Sequence, residues 1–202
     1  MGMQNLMFTI AVTVISRTLV LRDRMLGRLR RGGVQGAGQP TRRYSIPSGN
    51  ARLDAVLVAP EEPAHAVVLI CHGIGEIVEH WLGVQQLLAR YGIASLVFDY
   101  AGYGKSTGVV DWRQCEEDAI AAYAFLKNSA GGTPLSILGF SMGSGIAAAI
   151  IARTEAERLI LCAAFTSFRE AACVLGLPRW LCCMVPPIWS GESSLQGCGK
   201  RC

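Results

Sequence analysis

Charge is scarce in this sequence and unevenly divided. Only 17% of its 202 residues are charged, against about 25% in ordinary soluble proteins. With 51% hydrophobic residues, long disordered tracts are excluded. Aromatic residues make up 7%, and the three histidines, His65, His72 and His80, all lie in the first half. The eight cysteines contain no C-x-x-C pair and no Cys/His ligand spacing, so a zinc site is not expected. The 23 glycines and 8 prolines follow no collagen-like period, which excludes fibrous classes.

The net charge of +4 hides a division: residues 1–43 carry +7 and the remainder −3. A mildly acidic domain disfavours nucleic-acid binding. Near the N-terminus, Leu6–Ser16 is apolar apart from two threonines and ends at Arg17, short of the ~20 residues a membrane span needs. Met1–Asn5 has no basic residue, unlike a secretory signal. Three readings of residues 1–31 remain: a membrane-surface anchor, a degenerate targeting segment, or translated sequence ahead of a later start such as Met25. The Gly/Gln-rich residues that follow read as a linker over 32–42. Cys71, Cys115 and Cys162 sit inside apolar or helical runs, where a thiol behaves as a small hydrophobe. A reducing, cytoplasmic setting is expected, with membrane contact through residues 6–31 left open.

From Arg43 to about residue 190 one domain is expected. Arg43–Ile46 and Leu53–Ala59 read as strands around the turn former Pro47-Ser48-Gly49-Asn50. Ala66–Cys71 is continuously apolar, as in a strand buried on both faces. His80–Tyr91 reads as a helix with Trp81, Val84, Leu87, Leu88 and Tyr91 on its apolar side. Ile93–Phe98, Leu135–Leu138 and Leu159–Ala163 read as strands. Asp111–Asn128, with its early acids and late Lys127, and Ser141–Arg153 read as helices. The alternation predicts an α/β domain: a mostly parallel sheet with helices on both faces and its site at the carboxyl ends of strands.

Two strand ends carry chemistry. Gly139-Phe140-Ser141-Met142-Gly143 is G-x-S-x-G between an apolar strand and a small-residue helix. This is the pattern that lifts a serine hydroxyl above a sheet. Cys71-His72-Gly73-Ile74-Gly75-Glu76 is a loop that can supply a backbone donor opposite it. The oxyanion candidates are the Ile74 and Met142 N–H groups. His72 is expected to shape the loop, His80 to cap or line a pocket, and His65 to be exposed. The Asp99–Gly108 loop fails a Walker A motif, with Asp99 where glycine is required. It fails a dinucleotide fingerprint at Thr107.

HGIGE with Glu79-His80, then FDYAGYGKSTG, then LGFSMGSG together resemble the α/β-hydrolase superfamily. The resemblance is to its serine-hydrolase branch of monoacylglycerol-lipase-like and S33 aminopeptidase-like enzymes, over roughly residues 44–187. It implies Ser141 as nucleophile, Ile74 and Met142 as oxyanion donors, a small acyl or other ester substrate, and neither cofactor nor metal. Residues 163–187 resemble the start of a cap, with Phe165, Phe168, Val174, Leu175, Leu177, Trp180 and Leu181 forming either a greasy lid or ordinary packing. The superfamily places the acid and histidine of its triad after the nucleophile, yet no His or Asp follows Ser141, and Gly191–Cys202 is unpatterned. Three expectations follow: a hydrolase cut short at its C-terminus, a non-catalytic hydrolase-like binding module, or a base supplied by His72 or a partner chain.

Overall fold

The computed structural model describes residues 38–165 and 167. The 1–31 segment, most of the 32–42 linker, nearly all of the 163–187 cap and the 191–202 tail lie outside them, as do the cysteines beyond Cys162.

Strands β1 (Thr41–Ser48) and β2 (Ala51–Val58) form a hairpin closed by Gly49-Asn50. Gly49 at φ +53° supplies the positive φ that the first central position of a tight hairpin turn demands. Pro47 and Ser48, expected in the turn, belong to β1. Ser48 faces Ala51 as the closing, hydrogen-bonded pair, so Pro47 opposite Arg52 takes a non-bonded position where a missing N–H costs nothing.

The chain continues through β3 (Ala66–Cys71), α1 (Val78–Arg90), β4 (Ile93–Phe98), α2 (Trp112–Ser129), β5 (Leu135–Phe140), α3 (Met142–Ile150) and β6 (Arg158–Cys162). A single 3-10 turn, Ile151–Arg153, completes what the sequence suggested as a longer helix. Among the described residues the six strands form one sheet in the order β1-β2-β4-β3-β5-β6. The pairs among β4, β3, β5 and β6 are parallel, and the two involving β2 are antiparallel.

Alternation along the strands divides the core. Leu53, Leu69, Leu96 and Ile137 face α2 and α3, while Val56, Val68, Ile70 and Val97 face α1. Helices therefore cover both faces. α2 begins at an Asp111 cap, whose carboxylate accepts from Arg113 and Gln114 N–H, a contact worth about 1 kcal/mol. The acids expected to open this helix fall in its second turn instead, and Asp118 among them is fully buried.

α1 departs from its predicted face. Its buried residues are Val78, Trp81, Gln85 and Ala89, whereas Val84, Leu87 and Tyr91 are 42%, 52% and 70% exposed. The cause is Gln85, whose Nε2 donates to the carbonyls of Val56 at 2.9 Å and Ser95 at 2.8 Å. Two satisfied sheet carbonyls turn a polar side chain inward.

From β3 the chain leaves through α1 on one face, and from β5 through α3 on the other. Such a divergence opens a crevice at the carboxyl ends of the two strands.

Candidate active site

The candidate site sits at that divergence. Cys71 of β3 pairs with Gly139 of β5, so the loop after β3 and the turn after β5 rise side by side. Ser141 has φ +50° and ψ −116°, a conformation a non-glycine residue holds only when its surroundings impose it. Here they do. Ser141 N–H donates to Cys162 O at 2.9 Å, and its carbonyl accepts both from Ser144 N–H at 2.9 Å and from Ser144 Oγ at 2.6 Å.

The flanking glycines explain how the turn fits. A Cβ on Gly143 would overlap the Cys71 carbonyl oxygen, and one on Gly139 would lie 2.6 Å from Ser144 Cα. Helix α3 thus packs backbone to backbone on the sheet. Met142 opens α3, is 3% exposed, and as the first helical residue has no intrahelical acceptor for its N–H.

The opposing loop is equally tight. A Cβ on Gly73 would lie 3.3 Å from Ser141 Cβ and 3.3 Å from Phe140 Cδ1. Gly73 N–H donates to Glu76 Oε2 at 2.6 Å, and Glu76 N–H to Gly73 O at 3.3 Å. No hydrogen bond among the described residues uses the N–H of Ile74. Gly73, which precedes Ile74, thus lies against Ser141, which precedes Met142.

The histidines have partners of their own. His72 is wholly buried behind the loop, its Nδ1 2.9 Å from Gly73 O and its ring 4.6 Å from that of Tyr100. Burial pushes its pKa down to about 4, so it is neutral at pH 7. Its Nε2 lies 3.8 Å from Asp99 Oδ1, too far for a hydrogen bond, and a neutral ring makes no ion pair. Burial likewise raises Asp99 to about 7, against the pull of Val78 and Lys105 N–H. His80 Nδ1 accepts from Ile77 N–H at 3.3 Å at the start of α1, as a cap. His65 is exposed against Gly92.

The Asp99–Gly108 loop is held from within. Asp99 Oδ1 accepts from Val78 N–H at 2.9 Å, Ser106 Oγ donates to Asp99 O at 2.6 Å, and Tyr103 Oη lies 3.7 Å from Met142 Sδ. A wall beside the serine is what this loop forms. The sequence pattern assigns no role to Glu76 or Gln85 and places Asp118 among the acids of the first helical turn, whereas the structure buries it. The Gln114/Asp118 spacing of four was the available signal for the last. No group of three or more His, Cys, Asp or Glu side chains suited to a metal occurs among the described residues. An open depression of about 610 Å³ lies between the β1–β2 turn and the start of α2, lined by Asn50, Gly108, Asp111 and Arg113 among others. It contains none of Ile74, Ser141 and Met142.

Comparison with known proteins agrees with this fold. Residues 62–191 match the family model described as serine aminopeptidase, S33. The lysophosphatidylserine lipase ABHD12 of Danio rerio is 33% identical over 118 residues, covering 55% of this chain and 31% of that protein. Its Mus musculus counterpart is 32% identical over 115 residues, 54% and 29% of the two chains. The chain thus spans about a third of these relatives. An α/β-hydrolase from Vibrio vulnificus superposes with a TM-score of 0.68 at 23% identity, over 85% of this chain and 64% of that one. The Pyrococcus furiosus esterase Pf2001 gives 0.61 at 20% identity, over 79% and 67%.

Proposed function

The chain belongs to the serine aminopeptidase S33 family of the α/β-hydrolase superfamily, and from that premise we propose that it is built to cleave carboxylic esters through Ser141. The observation carrying this reading is the positive-φ Ser141 between β5 and α3, facing a loop with an unused N–H. Ser141 Oγ would attack the ester carbonyl. The Ile74 and Met142 N–H groups would hold the charge that develops on its oxygen, a contribution of about 3 kcal/mol for one such donor. The alcohol leaves, an acyl-serine remains, and water releases the acid. Relatives named as lysophosphatidylserine lipases support an acyl-lipid ester over an amide.

A serine hydroxyl needs a base. His72 Nδ1 lies against Gly73 O and His80 Nδ1 accepts from Ile77 N–H, while His65 is exposed beside Gly92. We assign to this chain the nucleophile and oxyanion half of the site and assign its base to none of these residues. The burial of His72 behind its loop, neutral and held to Gly73 O, supports a second reading, a hydrolase-shaped module that binds acyl ligands without turning them over. Unpaired thiols at Cys71, Cys115 and Cys162 support a reducing compartment. We propose that the basic apolar segment 6–31 contacts a membrane surface and that the catalytic domain occupies 43–190. Among the described residues no helix is long and apolar enough to cross a membrane.

The test is hydrolysis of p-nitrophenyl butyrate with fluorophosphonate labelling followed by intact mass. The ester reading expects turnover or a single adduct, lost in Ser141→Ala. Equal rates in wild type and Ser141→Ala would overturn it. Saturable binding of an acyl ligand with neither turnover nor adduct would establish the binding module instead.

A further inference from the structure

One carboxylate beside Ser141 has no role in the chemistry above. Glu76 is half-buried, and its Oε2 receives two hydrogen bonds, from Gly73 N–H at 2.6 Å and from Trp81 Nε1–H at 3.2 Å. Glu76 N–H returns to Gly73 O at 3.3 Å, so residues 73–76 form a closed ring. Trp81, a buried residue of α1, meets the ring of Phe140 edge-on at 5.7 Å. Phe140 directly precedes Ser141. One oxygen atom therefore ties the loop after β3 to α1, whose Trp81 in turn packs on the residue before Ser141.

That ring also decides which loop amide can meet a ligand. With Gly73 N–H occupied and Glu76 N–H turned back, Ile74 and Gly75 hold the loop's remaining N–H groups, and neither has an acceptor among the described residues. We propose that Glu76 is the positioning residue of the oxyanion loop. It occupies Gly73 N–H, braced by the Trp81 indole, and so presents Ile74 N–H to the oxygen of an ester bound at Ser141. This rests on the ester-cleaving reading. A bare carboxylate close to a developing oxyanion would oppose it. Two N–H groups on a single oxygen reduce that penalty, and the geometry asks for an acceptor rather than for a charge. Glutamine keeps the acceptor and drops the charge.

The experiment compares wild type, Glu76→Gln and Glu76→Ala by amide and indole hydrogen exchange in NMR and by kinetics on p-nitrophenyl butyrate. Glu76→Ala should speed exchange at Gly73 N–H and Trp81 Nε1–H about tenfold, the scale of one lost hydrogen bond. It should lower kcat about tenfold with KM within about threefold, because the contact to Ile74 matters most in the transition state. Glu76→Gln should restore exchange and kcat to within about threefold of wild type. Wild-type exchange in Glu76→Ala, or equal acceleration in both variants, would overturn the proposal. Should Glu76→Ala fail to fold, Trp81→Phe decides, since removing the brace must speed Gly73 exchange and an unchanged rate rejects the idea. Equal hydrolysis by wild type and Ser141→Ala would remove the ester reading alone, and the exchange measurements would still judge the loop.

Discussion

Cys71 stands opposite Gly139 in the parallel pairing of β3 with β5, and the carbonyl of Cys71 occupies the space where a Cβ on Gly143 would go. The serine turn and the loop facing it thus share one backbone contact.

That contact predicts an asymmetric response to alanine. Gly143→Ala must push α3 off the sheet and should cost about 3 kcal/mol or more, read as a lower urea midpoint. Gly83→Ala on α1 meets nothing within 4 Å and should stabilise by about 0.5–1 kcal/mol by lowering chain entropy in the unfolded state. Equal effects would contradict the packing described.

Asp118 gathers donors from three places. Its Oδ1 accepts from Ser48 Oγ at 2.6 Å and Gln114 Nε2 at 2.7 Å, and its Oδ2 accepts from Ala101 N–H at 2.7 Å. Asp118→Ala leaves buried donors unpaired and should cost about 2–3 kcal/mol. A loss below about 0.5 kcal/mol in chemical denaturation would show that water replaces the carboxylate.

His72 and Asp99 pull stability in opposite directions with pH. His72 falls from its usual 6.5 to about 4 in the folded protein, so between those values the unfolded chain binds the extra proton and stability rises with pH. Asp99 rises from its usual 3.8 to about 7, so the folded protein keeps a proton the unfolded chain has lost. Its contribution is present below about 4 and is lost as pH climbs to 7. In wild type the two slopes oppose. Asp99→Asn should leave the rising slope and His72→Gln the falling one, in urea midpoints between pH 4.5 and 7. Slopes of the same sign in both variants would refute the assignment.

Arg43 bridges Asp54 at 2.5 Å and Glu79 at 2.7 Å, with Lys105 3.3 Å from Glu79. The group links β1, β2, α1 and the Asp99–Gly108 loop, yet the Arg43 side chain is 41% exposed. Arg43→Ala should cost less than about 1 kcal/mol, and 0.5 M salt should shrink the difference further.

The sheet was readable from sequence because parallel strands buried on both faces leave continuous apolar runs, as in Ala66–Cys71 and Ile93–Phe98. The orientation of α1 was not. Counting apolar residues rotates that helix toward Val84, Leu87 and Tyr91, and nothing local says that Gln85 has two sheet carbonyls to satisfy. In G-x-S-x-G both glycines answer a close backbone approach, whereas in HGIGE Gly73 meets the side chains of Glu76, Phe140 and Ser141 and Gly75 supplies a positive φ. The place of His72 behind its loop, and the work of Glu76, depend on Tyr100, Asp99 and Trp81 arriving from other elements.

Pro47 has one more consequence. Among the described residues β1 is the outermost strand, and its non-bonded position turns the imide nitrogen outward. A foreign strand trying to extend the sheet there finds a gap in the row of donors and a ring in its path. At this edge the Pro47 ring therefore disfavours templated strand addition.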